Sequence, residues 1–147
     1  YTKDRSPIFI DFAHTEDGLD KLLRSLRPHT EGNLAVVFGC GGDRDRGKRA
    51  KMGKVAAHLA DRVIVTDDNP RTEDPSEIRG AIMKGCPSAL EVPCRHNAIL
   101  EGIKGLNSKD CLVIAGKGHE QGQIIGEQTI PFSDMDEVKL ILEELFL

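Results

Sequence analysis

Short apolar runs alternate along the chain with longer stretches in which apolar residues recur every three or four positions. Ile8–Phe12, Leu34–Phe38, Arg62–Thr66 and Cys111–Ala115 have the length and β-branched content of strands. Leu34–Phe38 and Cys111–Ala115 contain no charged side chain, the pattern of strands covered on both faces. Leu19, Leu22, Leu23 and Leu26 form a helical stripe behind a Thr15 cap, and Met52, Val55, Ala56 and Leu59 form a second. Asp74-Pro75-Ser76-Glu77 opens a third helix with a capping Asp, Pro at the first position and Glu three residues on. Ile78, Ala81 and Ile82 face its core side, and Gly85 is expected to end it. Ile99, Ile103 and Leu106 mark a helix over Arg95–Leu106, and Val138, Ile141, Leu142 and Leu145 mark a last one capped by Ser133. Ala89–Val92 reads as a short strand. Gln123–Ile125 and Gln128–Pro131 read as a hairpin with a non-standard turn.

This alternation predicts an α/β fold, a Rossmann-like doubly wound, mostly parallel sheet with helices on both faces and a C-terminal antiparallel hairpin or edge strand. A length of 147 residues suits one domain. In such sheets ligands sit beyond the carboxyl ends of the strands. The segments falling there, Ala13–Glu16, Gly39–Arg49, Asp67–Arg71 and Gly116–Glu120, are rich in Gly, charge or His.

Charge narrows the partners. A net charge of −4 supplies no overall basic field, so no nucleic-acid partner is expected. No apolar stretch approaches the ~20 residues of a membrane span, and no signal-peptide-like apolar segment follows Tyr1–Arg5. Cys40, Cys86, Cys94 and Cys111 form no CxxC pair and no zinc spacing with the histidines, so reduced thiols are expected.

Gly39–Arg49 (GCGGDRDRGKR) joins a buried strand to a helix. Its glycines admit close backbone approach, and its four basic side chains suit carboxylate or phosphate. Gly42-x4-Gly47-Lys48 has Walker A spacing, but Arg49 stands where Ser or Thr would hold magnesium. Gly39-x-Gly41 begins a dinucleotide fingerprint that Arg44 interrupts. Asp68-Asn69-Pro70-Arg71 offers an ammonium acceptor and a carboxylate donor on a turn that Pro70 stiffens, a match for an α-amino-acid head group. Gly116-Lys117-Gly118-His119-Glu120 adds a second ammonium acceptor, and Asp11 and His14 could touch ribose or phosphate oxygens. His29, His58 and His96 stand alone. The residues by themselves leave open a phosphate- or nucleotide-binding module and a non-catalytic interaction domain.

The order DFAHT, GCGGDRDRGKR, TDDNPR, AGKGHE resembles the C-terminal domain of the Mur ligases, and within them the diaminopimelate-adding branch, over nearly the whole chain. Phe12 stands where Tyr is common, and Glu16 where Pro often follows the AHT. The resemblance implies a peptidoglycan-precursor ligase. ATP would activate a carboxylate of UDP-N-acetylmuramoyl-L-alanyl-D-glutamate as an acyl phosphate, and the amine of meso-diaminopimelate would attack it. It implies that Arg44, Asp68, Asn69, Pro70, Arg71, Gly116 and Glu120 form the diaminopimelate site, with DNPR marking diaminopimelate rather than L-lysine. It implies that Asp11 and His14 approach the nucleotide when domains close. ATP and Mg2+ would be bound mainly by a central domain, and the UDP-sugar by an N-terminal one. Neither is in this sequence, so the chain is expected to be the C-terminal domain of a cytoplasmic bacterial enzyme and inactive alone. A lysine-adding ligase of the same family is the alternative, against which Arg71 argues.

Overall fold

The computed structural model describes residues 2 and 6–146. Five parallel strands, β1 (Ile8–Asp11), β2 (Leu34–Phe38), β3 (Arg62–Val65), β4 (Leu90–Glu91) and β5 (Cys111–Ala115), form one sheet in the order β1-β5-β2-β3-β4. The apolar runs predicted all five strands; the return of β5 to a place between β1 and β2 is what sequence order conceals.

Strand alternation divides the core in two. Leu34, Val36 and Phe38 with Cys111, Val113 and Ala115 face α1 (Glu16–Leu26), α2 (Lys48–Leu59) and α3 (Pro75–Met83) through Leu19, Leu23, Met52, Ala56, Ile78 and Ile82. Ala35, Val37, Leu112 and Ile114 face α4 (Arg95–Lys104) and α5 (Asp134–Phe146) through Ala98, Ile99, Ile103, Val138 and Ile141. Every residue of β2 and β5 is buried, as a two-sided strand requires.

The caps fall where their chemistry puts them. The Thr15 hydroxyl accepts from the Gly18 N–H, the Asp74 carboxylate from Ser76, and the Ser133 hydroxyl from Asp136. Leu145 departs from expectation: it lies 38% exposed, because α5 has passed the end of its packing surface. The hairpin strands β6 (Gly122–Ile125) and β7 (Gln128–Pro131) form a separate two-stranded antiparallel sheet rather than an edge of the main one. Their turn carries positive φ at Gly126 alone, the pattern of a type II′ turn. Among the described residues no helix is long and apolar enough to cross a membrane. All four cysteines are free, with Cys94 exposed.

Candidate functional site

The loops leaving β1, β2, β3 and β5 converge at the carboxyl edge of the sheet around a cavity of about 270 Å³. Arg44, Asp68, Asn69, Arg71, Gly116, Glu120 and His14 all line it. Pro70 and Asp11 do not. Pro70 is buried beneath, and its carbonyl would lie 1.8 Å from a Cβ at position 42, so only glycine there lets the two loops close on each other. Asp11 directs its carboxylate to the Ala13 N–H at 2.8 Å, and its own carbonyl accepts from Gly116.

A lattice of hydrogen bonds locks Gly39–Arg49 to the loop after β3. The Gly42 N–H donates to the Asn69 carbonyl, and the Arg71 guanidinium donates to the Gly42 carbonyl at 3.0 Å. The Thr72 hydroxyl reaches the Asp43 carboxylate, and Glu73 receives the Asp43 N–H and the Arg49 guanidinium. The buried Arg49 guanidinium, then the Asp43 N–H, hold the Glu73 carboxyl down to about 2. Of the four basic residues read as anion ligands, Arg46 and Arg49 are therefore paired with Glu73, while Arg44 and Lys48 reach the cavity. Lys48 also donates to the His14 carbonyl, tying the β1 loop across the opening. Cys40 lies in the wall, but burial pushes its thiol up to about 12.

The loop after β3 holds its shape through the hairpin. The Arg71 N–H donates to the Ile124 carbonyl and the Gly126 N–H to the Arg71 carbonyl. The Gln123 amide donates to the Asp68 carbonyl, and the Ile124 N–H donates to Asn69 Oδ1. Arg71 is kept at φ +54, a left-handed conformation that a non-glycine residue adopts only when its surroundings impose it. Its Nη1 serves the Gly42 and Asn69 carbonyls. Its Nε and Nη2 have no protein partner among the described residues. The Asp68 carboxylate also makes no hydrogen bond among the described residues, although Asp68 is 8% exposed. Gly116, at φ +114, brings the β5 loop so close to it that a Cβ would sit 2.8 Å from Asp68 Oδ2.

Two buried cations beneath the cavity escaped the sequence reading. Arg95 is fully buried and makes a two-point ion pair with Asp134, both contacts 2.8 Å, while its Nη atoms donate to the Asp67 and Ala115 carbonyls. It thereby cross-links the carboxyl ends of β3 and β5. Lys117, also fully buried, donates to Asn69 Oδ1 at 2.9 Å and Glu120 Oε1 at 3.3 Å. The only available signal was a Lys inside a Gly-x-Gly turn. His96, expected to stand alone, meets Glu137 at 2.5 Å.

Cationic and carboxylate side chains line a single cavity at the carboxyl edge of a parallel sheet, a lining whose charges suit a zwitterion. The profile described as "Mur ligase, glutamate ligase domain" matches residues 1–118, and the chain belongs to this family. It is 53% identical over 143 residues, 97% of its length, to the UDP-N-acetylmuramoyl-L-alanyl-D-glutamate–2,6-diaminopimelate ligase of Mesorhizobium japonicum. A solved structure of a ligase of that name superposes with a TM-score of 0.89 at 42% identity over 93% of the chain. A bifunctional folylpolyglutamate synthase/dihydrofolate synthase from Yersinia pestis, complexed with AMPPNP and Mn ion, shares the fold at a TM-score of 0.61 and 16% identity, over 74% of this chain and 25% of that one. The chain spans 30% of the length of the Mesorhizobium relative and 29% of the solved ligase.

Proposed function

We propose that this chain is the amino-acid-binding domain of an ATP-dependent ligase that adds meso-diaminopimelate to UDP-N-acetylmuramoyl-L-alanyl-D-glutamate in the bacterial cytoplasm, supplying peptidoglycan precursor. The observation that carries the reading is the Asp68 carboxylate, without a hydrogen-bond donor among the described residues, on the same cavity as Arg71 and Arg44. Asp68, Glu120 and the Gly116 carbonyl would take the ammonium of the distal amino-acid centre. Arg71, with Arg44, would take its carboxylate, which planar guanidinium matches in two-point geometry. Asn69 contributes one remaining amide hydrogen, since its oxygen serves Lys117 and Ile124 and its other amide hydrogen serves Glu120. Pro70 acts from beneath by fixing the turn.

Holding the distal centre aims the near amine at the activated carboxylate, a gain by orientation rather than by proton transfer. Lysine has no distal carboxylate and would leave Arg71 unmatched, which favours the diaminopimelate-adding reading over the lysine-adding one.

The residues here do not fit a magnesium–triphosphate site. Arg49 occupies the Ser/Thr position of the near-Walker spacing and is committed to Glu73, and among the described residues no group of three or more His, Cys, Asp or Glu side chains could hold a metal ion. We therefore assign ATP, Mg2+ and the UDP-sugar to parts of the relatives that this chain does not span, with a central domain as its partner in the closed enzyme. His14 remains as this domain's contact to the nucleotide; Asp11, committed to Ala13, supports the loop that carries it.

The test is calorimetry of the full-length ligase with meso-diaminopimelate and with lysine, alongside Arg71→Ala. The variant is expected to weaken diaminopimelate binding by about 30-fold, on the order of 2 kcal/mol. Unchanged binding by Arg71→Ala, or equal binding of lysine, would overturn the assignment.

A further inference from the structure

Lys117 has no part in the site as described, yet it is fully buried and its ammonium ends between two residues of the cavity wall. A lysine so placed loses its water, and proteins rarely tolerate this without a purpose for the charge. Its chemistry at this position is specific. It donates to Asn69 Oδ1, fixing which way the Asn69 amide points, and the Asn69 Nδ2 is thereby turned to Glu120 Oε1 at 3.3 Å. Lys117 itself donates to that same Glu120 oxygen at 3.3 Å. One carboxylate oxygen of Glu120 thus receives two donors from below. The other receives none among the described residues, while the side chain stays 38% exposed at the cavity.

We propose that Lys117 is a positioning residue for the amino-acid site: it pins one oxygen of Glu120, leaves the other for the ligand ammonium, and through Asn69 locks the loop after β5 to the loop after β3. The inference rests on the proposed amino-acid site. Without the ammonium, Glu120 would swing toward solvent, as a third-exposed carboxylate on a flexible side chain does, and ligand binding would have to restore its order at each encounter. The buried charge also offsets the Glu120 carboxylate, which shares a small cavity with the Asp68 carboxylate.

The test uses the full-length ligase with Lys117→Met, which keeps the side-chain length and removes the charge and its donors, alone and combined with Glu120→Gln. Lys117→Met is expected to raise KM for diaminopimelate by about tenfold or more while leaving KM for ATP and for the nucleotide dipeptide within about twofold. In the Glu120→Gln background the same substitution is expected to have a clearly smaller effect, because the route through the Glu120 carboxylate is gone and only the contact to Asn69 remains to be lost. An unchanged KM for diaminopimelate, or an equal effect in both backgrounds, overturns the proposal. If Glu120→Gln and Arg71→Ala also leave that KM unchanged, it is the amino-acid site itself that fails. Should Lys117→Met not fold, Lys117→Gln keeps a donor for Asn69 and carries the same expectations. Failure of both to fold overturns the proposal by showing that the ammonium serves the fold and not the site.

Discussion

Replacing Arg95 with methionine leaves the Asp134 carboxylate buried at the start of α5 without its ion-pair partner. Both carboxylate oxygens lose their 2.8 Å contacts, and the Asp67 and Ala115 carbonyls lose their donors as well. Removing one partner of a fully buried pair costs about 3–5 kcal/mol, and an orphaned carbonyl adds about 1 kcal/mol. A loss of about 5 kcal/mol is a large part of the ~5–15 kcal/mol that holds a domain together. At ~2–4 °C per kcal/mol for this size, the melting temperature should fall by about 10–20 °C. Urea and thermal unfolding of the chain, followed by circular dichroism, read this directly. The companion variant, Arg95→Met with Asp134→Leu, removes both charges and should recover at least half of the loss, since no buried charge is left behind. A loss below about 1 kcal/mol for Arg95→Met, or a double variant as unstable as the two single losses summed, would refute the reasoning.

The Glu73 carboxyl is held at about 2, below its ordinary 4.5, by Arg49 and the Asp43 N–H. A folded-state value below the unfolded one contributes stability above about pH 4.5 that is lost as pH falls toward 2. The stability gap between the native chain and Glu73→Gln should therefore be flat above about pH 5 and close below it in urea titrations; a gap that persists to pH 2 contradicts the charge's role. A maleimide should label Cys94 quickly in the native chain and leave Cys40, Cys86 and Cys111 unreacted until denaturant is added, because burial keeps those thiols protonated. Mass spectrometry of the labelled peptides checks this, and fast native labelling of Cys40 would contradict it. Arg71→Gly should unfold at higher urea than Arg71→Ala. Both lose the guanidinium, but alanine keeps ~1–2 kcal/mol of left-handed strain against glycine's ~0.4–1 kcal/mol of extra unfolded freedom. Equal stability, or alanine the more stable, would show that position 71 is not held at positive φ.

Periodicity located almost every element because the core of this chain is simple: two faces of one sheet, central strands β2 and β5 apolar through their length, and helices with one apolar stripe each. It could not show that β5 inserts between β1 and β2, since strand order depends on contacts far apart in sequence. Gly85 was read as a helix-ending residue and is not at positive φ. Its requirement for glycine is tertiary, because a Cβ there would lie 2.0 Å from the Ala50 carbonyl on α2. The site loops stood out because they concentrate glycine and charge at the carboxyl ends of the strands. What the sequence concealed is which charges neutralise each other. Arg49 and Lys48 are neighbours in one basic run, yet one is buried against Glu73, which lies 24 residues from Arg49, and the other faces the cavity. Arg95 and Lys117 were missed for the same reason: a buried cation is recognised only by its partners, and Asp134 is 39 residues from Arg95.

Among the described residues the hairpin of β6 and β7 hydrogen-bonds to the main body through the loop after β3, which carries part of the proposed amino-acid site. Ile124 supplies both a donor to Asn69 and an acceptor to Arg71, and Gln123 supports Asp68, so loop and hairpin form a cassette separable from the parallel sheet beneath. Exchange of substrate preference between related ligases should accordingly require transplanting residues 67–73 together with 122–131. The loop grafted alone would arrive without the backbone partners that hold residue 71 left-handed, whereas the pair, moved as a unit, brings them, provided that Asp67 and Glu73 are kept as the partners of Arg79 on α3 and Arg49 on α2.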